Sequence, residues 1–432
     1  MIYNAKYESM PREELAQLQI ERLQSTLNRV YRNVTFYKES FDENKIDIGT
    51  IRSIADMARL PFTTKDDLRK SYPYNMFAVP LRDIVRIHST TGRTGVPIAI
   101  GYTRNDILHW SELVARVIAG AGVTDNDFVQ IAFDYNMFTG GFGLHYGAEK
   151  IGASVIPSSQ SGNVQRQIRI MKDYKTTVLL STPSYALRIA SNLREMGMHP
   201  DELNLKTGLF GAEPWSENTR ARIEERLHLS AFNIYGINEM MGPGVSGECA
   251  EKNGLHINED HYIVEIIDPL TWEPLPHGAE GELVITTITR EGFPLVRYRT
   301  GDLSSIIEEP CPCGRTTLRM RRVAARSDDM VVINGINVFP TQVGEALKKA
   351  TGFDPRFQII IDDIDGEDVM EIQVEILEKM FDDEVKKLLS LKSAIGVAVE
   401  REMGVAAKIT FVEQNTLQMY SEGRVRRVID RR

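Results

Sequence analysis

Between about residue 125 and residue 240, short apolar runs alternate with helical stretches, and few folds satisfy that alternation. FVQIAF (from Phe128), TVLLST (from Thr177), TGLFGA (from Thr207) and AFNIYG (from Ala231) read as buried strands. Helical spacing connects them around Ile168–Tyr174, Tyr185–Met196 and Asn218–Leu227. Strands that are apolar throughout, with a helix after each, imply a parallel sheet covered on both faces. Ahead of this region, Leu15, Leu18, Leu23, Leu27, Val30, Tyr31 and Val34 recur at helical spacing and predict an amphipathic opening helix.

From about Tyr262 the texture becomes β-rich, with YIVEIID and GELVITT separated by turn residues. A small antiparallel subdomain is expected there. After Arg326 a further unit follows: VVI, a helix from Gln342 to Lys349, FQIIID, VMEIQVEI, another helix and AKITFV. The expected organisation is a large α/β domain over 1–325, including the β-rich part, and a small α+β domain over 326–432.

Composition excludes several classes. With 432 residues, 42% hydrophobic and 26% charged, the chain is an ordinary globular one. A net charge of −9 and a pI near 5.6 give no general attraction to nucleic acid or anionic lipid. No run of 18 apolar residues offers a membrane span, and the opening residues lack the pattern of a secretory leader. Three cysteines cannot build a disulfide framework and suit a reducing compartment, so a cytoplasmic location is expected.

Five polar segments interrupt the apolar pattern. His88–Pro97, with sequence HSTTGRTGVP, is rich in hydroxyls and glycines that bring backbone N–H groups close to phosphate oxygens. It lacks the Lys-Ser/Thr ending of a P-loop, and taken alone it reads as a polar turn. Gly211-Ala212-Glu213-Pro214-Trp215 and Tyr235-Gly236-Ile237-Asn238-Glu239 close two of the expected strands, at the sheet edge where ligands of parallel sheets collect. Tyr298-Arg299-Thr300-Gly301-Asp302 offers a carboxylate suited to paired ribose hydroxyls, and Arg326-Ser327-Asp328-Asp329 lies at the expected domain break.

In this order and spacing, the five segments resemble the core motifs of the acyl-CoA synthetase, adenylation-domain and luciferase superfamily. The forms FGAEPW, YGINEMMGPGV, YRTGDL and INGINVFPTQV are similar to the phenylacetate–coenzyme A ligase branch, and the resemblance spans essentially the whole chain. It implies an AMP-forming ligase that activates an aromatic acid with ATP and passes it to coenzyme A. By the resemblance, Thr90, Thr91, Gly92 and Thr94 hold ATP phosphates. Gly211, Ala212, Glu213, Pro214 and Gly236 border the nucleotide, and Tyr235 packs on adenine; simple core packing is the other reading of that ring. Asn238 occupies the place near the α-phosphate, Glu239 binds Mg²⁺, Asp302 and Arg326 hold the ribose, and Asp328 is the hinge of the small domain.

The aryl slot is expected around Tyr135, Phe138, Met241 and Pro243, where apolar and aromatic surface suits a flat acid. Packing within a loop is the competing role for Phe138. The C-terminal motif departs from its relatives: SEGRVRRV carries Arg424 where the family places a lysine, and a planar fork does not replace an ammonium conservatively. That departure leaves open transfer to an acceptor other than coenzyme A, or a nucleotide-binding protein without turnover. A homodimer is the expected assembly.

All three cysteines fall in two segments, Cys249 with His256, and Cys311-Pro312-Cys313-Gly314. A Cys₃His set is a common structural zinc arrangement, with no position left for water. Structural zinc is favoured here over free buried thiols.

Overall fold

The structure is a computed structural model and describes residues 1–90, 96–159, 163–323, 325–327, 331–333, 336–364, 367–375, 385–413, 416–417 and 427–431. The chain divides into two units. One comprises Met1–Thr300 with Ser304–Val323, the other Gly301–Leu303 with Ala324–Arg432.

In the first unit the strands are β1 (Arg86–Ser89), β2 (Ala99–Tyr102), β3 (Phe128–Ile131), β4 (Ser154–Ile156), β5 (Val178–Ser181), β6 (Thr207–Phe210) and β7 (Ser230–Ile237). They continue with β8 (Gly242–Glu248), β9 (Leu255–Ile257), β10 (Tyr262–Ile267), β11 (Gly281–Thr287), β12 (Tyr298–Ser304, of which Gly301–Leu303 count with the second unit), β13 (Ile306–Ile307) and β14 (Arg319–Met320). The helices are α1 (Ala5–Glu8), α2 (Arg12–Asn33), α3 (Thr35–Glu43), α4 (Lys65–Lys70), α5 (Arg104–Gly120), α6 (Gly140–Ile151), α7 (Val164–Asp173), α8 (Pro183–Glu195) and α9 (Glu217–Leu227).

The alternating region forms the parallel half of a nine-stranded sheet, ordered β13-β14-β9-β8-β7-β6-β5-β3-β4. β4, β3, β5, β6 and β7 are parallel in sequence-crossover fashion. Side-chain caps start the connecting helices: Thr182 accepts from the Tyr185 N–H with Pro183 at the first helical position, and Ser216 accepts from the Thr219 N–H. The opening helix α2 buries Leu15, Leu23, Leu27 and Val30, the stripe that its spacing predicts.

One feature differs from a purely parallel sheet with its β-rich part beginning near Tyr262. β8 turns back antiparallel against β7, and β9, β14 and β13 follow antiparallel, so the main sheet changes direction at Gly242. YIVEIID and GELVITT do pair antiparallel, as β10 and β11, with β12 next in the order of their sheet.

The second unit opens on a short ladder in which Asp302 and Leu303 face Arg326 and Ala325 (β15, Ala325–Arg326). β16 (Val331–Ile333) and β17 (Ile336–Val338) form a hairpin. A four-stranded sheet, in the order β20 (Ala407–Val412), β19 (Glu367–Glu375), β18 (Phe357–Ile364) and β21 (Val428–Asp430), belongs with helices α10 (Pro340–Thr351) and α11 (Val385–Met403). Ile333, Leu347, Ile359, Ile372, Ile395 and Val399 pack in its core. Among the described residues, no helix is long and apolar enough to cross a membrane.

Candidate active site and metal cluster

Parallel strands point their carboxyl ends to one edge, and four polar connections emerge there. The loop after β3 carries Tyr135 and Phe138, the connection after β5 leads directly into Ser184 in the first turn of α8, that after β6 carries Gly211–Pro214, and that after β7 carries Asn238 and Glu239. The Ser184 N–H donates to Glu213 Oε1 at 2.6 Å, which ties the β5 and β6 connections together. Ala212 takes a left-handed backbone with φ 68°, a conformation that non-glycine residues adopt rarely.

The Asn238–Pro243 turn is the most heavily fixed part of this edge. Met241 and Gly242 have φ of 73° and 91°. Buried side chains from four separate elements hold it. Thr139, at the start of α6, donates its hydroxyl to Asn238 Oδ1. Arg290 Nη1 donates to the Glu239 carbonyl at 2.5 Å, the Tyr262 hydroxyl to the Met240 carbonyl at 3.0 Å, and Trp110 Nε1 to the Pro243 carbonyl at 2.9 Å. A buried carbonyl left without a donor costs about 1–3 kcal/mol, so each of these bonds supports the turn.

Glu239 is buried at 7% exposure, yet no guanidinium or ammonium among the described residues pairs with it. Among the described residues its Oε1 accepts from the Tyr298 hydroxyl, at 3.4 Å. A largely dehydrated carboxylate without a cationic partner suits a hard cation such as Mg²⁺. Tyr298 opens the YRTGD segment, which thereby reaches the Glu239 carboxylate.

Asp302 and Arg326 face each other across the β12–β15 ladder, and Arg326 Nη1 donates to Asp302 Oδ1 at 2.6 Å. The carboxylate side chain is buried while the guanidinium is about one-third exposed. Thr90 stands at the stem of the phosphate loop: its N–H and Oγ1 bond the carbonyl and N–H of Ile98, at 3.1 and 2.9 Å. Thr91, Gly92, Thr94, Asp328 and Arg424 lie outside the described residues.

Of the expected aryl-slot residues, Met241 is buried and Pro243 and Tyr135 are half-buried. The Tyr135 ring meets Phe142 edge-on at 5.3 Å, and its hydroxyl bonds His145 Nδ1 at 3.2 Å. Burial, then the negative charge of Glu149, raises its pKa, so the phenol stays neutral. Phe138 is 37% exposed. The loop that bears it is anchored instead through Met137, whose carbonyl accepts from the Ser89 N–H and from His88 Nδ1–H. Three segments therefore meet through Thr139, Asn238 and Met137: the end of β1, the 134–139 loop and the 238–243 turn. Tyr235 is half-buried in β7 beside a register shift at Gly236.

Sequence reasoning missed Thr139, Trp110, Tyr262, Arg290 and the anchoring role of His88. Only Thr139 carried a signal, as the residue before a Gly-Gly helix start. Trp110, Tyr262 and His88 act from conventional helix or strand positions and Arg290 from the segment after β11, each on a distant carbonyl.

Cys249, His256, Cys311 and Cys313 converge where β8, β9 and the segment before β14 run side by side, with all four donor atoms within 4.8 Å of one another. Cys249 and Cys311 sulfurs are 3.7 Å apart, and Cys313 Sγ is 3.3 Å from His256 Nε2. Zn–S bonds near 2.3 Å in a tetrahedron place sulfurs about 3.8 Å apart, so the set fits zinc. Thr317 Oγ1 bonds His256 Nδ1 at 3.1 Å and leaves Nε2 facing the thiols. Burial and the Arg315 and Arg319 charges push the imidazole down to about 3, which keeps it neutral as a ligand must be. Burial pushes Cys249 up to about 12. It acts the same way on Cys313, but the Arg315 N–H and guanidinium more than reverse it, and that thiol lies below its usual value.

Comparison with known proteins agrees over the full chain. The sequence model of the AMP-binding enzyme family matches residues 16–289, and that of the AMP-binding enzyme C-terminal domain matches residues 335–432. Phenylacetate-coenzyme A ligase of Thermus thermophilus is 42% identical over 445 residues, covering 100% of both chains. The enzyme of that name from Aromatoleum evansii is 42% identical over 98% of this chain and 96% of its own. Among solved structures, 2-hydroxyisobutyryl-CoA ligase in the postadenylation state with 2-HIB-AMP superposes with a TM-score of 0.86 at 28% identity, covering 100% of this chain and 92% of that one.

Proposed function

The chain belongs to the phenylacetate–coenzyme A ligase family of AMP-binding enzymes, and from that premise we propose that its acid is aromatic and phenylacetate-like. The activity is ATP-dependent acid activation through acyl-AMP to a coenzyme A thioester. The acid carboxylate attacks the α-phosphorus of ATP, pyrophosphate leaves, and the thiol of coenzyme A then displaces AMP at the acyl carbon.

The observation that carries the site assignment is Glu239, a buried carboxylate that has no cationic partner among the described residues, at the carboxyl edge of the parallel strands. We read it as the ligand of Mg²⁺, which when bound neutralises charge on the departing pyrophosphate. The amide of Asn238, oriented by Thr139, presents polar atoms to the α-phosphate. Thr90, Thr91, Gly92 and Thr94 take the outer phosphates, Gly211–Pro214, Tyr235 and Gly236 the base, and Asp302 with Arg326 the ribose. Arg424 serves in place of the family's lysine, and residues 326–432 act as a lid hinged at Asp328. Tyr135, Met241 and Pro243, with the partly exposed Phe138, form the aryl slot. A structural zinc on Cys249, His256, Cys311 and Cys313 completes the cofactor set, in a cytoplasmic enzyme that associates as a homodimer.

Pyrophosphate release from Mg·ATP across a panel of aryl and aliphatic acids, with and without coenzyme A, tests this reading. A thioester formed preferentially from arylacetic or benzoic acids is the expected product. Faster turnover of aliphatic acids would overturn the aromatic assignment, and acyl-AMP without thioester would point to another acceptor.

A further inference from the structure

Arg290 is a cation at 1% exposure that forms no ion pair with a carboxylate among the described residues. Its guanidinium lies between the rings of Tyr102 and Phe293, 4.9 and 5.2 Å from their centroids. Nη1 donates to the Glu239 carbonyl, whereas Nε and Nη2 have no partner at hydrogen-bond geometry among the described residues. Asp106 is the buried carboxylate that serves the same loop, but it accepts the N–H groups of Thr103, Glu291 and Gly292 instead. Aromatic faces compensate a charge only in part, so a dehydrated and incompletely bonded guanidinium opposes folding. Packing alone does not require it, because an uncharged chain of similar length fills the same space without that penalty. Among the described residues, the hydrogen bond it makes at good geometry goes to the peptide of Glu239.

We propose that Arg290 is a positioning residue for the reaction: it fixes the Glu239 peptide, and thereby the carboxylate, in the orientation that receives Mg²⁺. The inference rests on Glu239 being the metal carboxylate. Through this bond the segment after β11 sets the direction of the turn after β7, whose own backbone is a single 3-10 turn over Asn238–Met240 followed by two consecutive left-handed residues, Met241 and Gly242. The other three clamps of the turn act on neighbouring residues and leave the Glu239 carbonyl to Arg290 alone.

Arg290→Met, Arg290→Lys and Glu239→Gln are compared with wild type by two readouts. The first is hydrogen exchange of the 238–241 segment without nucleotide or metal. The second is the Mg²⁺ concentration that half-saturates acid-dependent pyrophosphate release. In Arg290→Met, exchange of that segment is expected to speed up while β5 and β6 stay protected, and the Mg²⁺ requirement to rise about 10–100-fold, as for loss of a partner that orients a ligand. KM for the acid stays near wild type. Arg290→Lys keeps the charge, loses the fork and falls between the two; should the Met variant not fold, it decides the question alone. Wild-type exchange and Mg²⁺ response in the folded Arg290 variants, with Glu239→Gln impaired, would overturn the positioning role. A wild-type Mg²⁺ response in Glu239→Gln would instead overturn the reading of Glu239.

Discussion

Cys313 Sγ lies 3.3 Å from His256 Nε2, although 57 residues separate the two in sequence. The β9–β14 ladder brings them together, since His256 faces Arg319 across it. Arg315 holds the turn from the other side, pairing with buried Glu8 at 2.6 Å. Protein purified without added metal is expected to contain one zinc per chain by mass spectrometry. Cys249→Ser should lose it and unfold several degrees lower, because a closed structural site contributes folding free energy directly. A full-length chain with intact thiols, no zinc and unchanged unfolding in chelator would dismiss the site.

The Asp302–Arg326 pair makes a second prediction. A hydrogen bond to a charged group is worth roughly 1.5–3 kcal/mol, so Asp302→Asn should raise KM for ATP by about one to two orders of magnitude. KM for the acid should stay within a few-fold. Arg326→Met should weaken ATP in the same direction but less, since it orients the carboxylate and does not itself replace the charge. An ATP KM unmoved in Asp302→Asn would remove the ribose assignment.

Most of the parallel half of the sheet was legible because β5, and all but the first residue of β3 and of β6, are buried on both faces, as TVLLST, FVQIAF and TGLFGA suggest; β4, which is partly exposed, was not. The reversal at Gly242 was not. GPGVSGE has small residues where a strand usually shows bulky ones, and its glycines are needed for close packing: a Cβ at Gly244 or Gly247 would press on Val114 or Val117 of α5. The motif carboxylates Glu239 and Asp302 stood out by their company in short polar segments. Arg290 did not, because its role arises from burial between two rings and from a carbonyl 51 residues away. The gathering of Cys249, His256, Cys311 and Cys313 was legible through cysteine scarcity alone, since all three thiols fall in two segments.

His88 and His261 make stability depend on pH. Burial lowers the pKa of both. For His88, the Nδ1–H bond to Met137 and, for His261, the charge of Asp260 oppose that shift without overcoming it. In the unfolded chain each imidazole titrates near 6.5, so below that pH the unfolded state binds more protons and stability falls as acid is added. The stabilisation is present above pH 6.5 and is lost on the way down. Thermal unfolding between pH 7.5 and 5 should therefore show a falling midpoint, and His88→Gln should flatten the slope. A midpoint that rises toward pH 5 would contradict neutral buried imidazoles.

Gly236→Ala tests whether the turn after β7 must hold its place for the reaction. Gly236 faces Pro243 where the β7–β8 register shifts, and a Cβ there would run into the Gly242 carbonyl and the Pro243 backbone. Those are main-chain atoms, so no side-chain rotation relieves the clash. Overpacking of this kind costs about 1–3 kcal/mol, and with backbone as the obstacle the upper part of that range is expected. The strain falls on Gly242, which follows the left-handed Met241 and precedes the carbonyl held by Trp110. Displacing it shifts Asn238 and Glu239, two and three residues beyond Gly236. The variant should fold with a lowered unfolding midpoint and lose acid-dependent pyrophosphate release out of proportion to that loss, with the zinc content intact. Wild-type turnover in a chain destabilised by the expected amount would show that the turn tolerates displacement and that the four clamps serve stability alone.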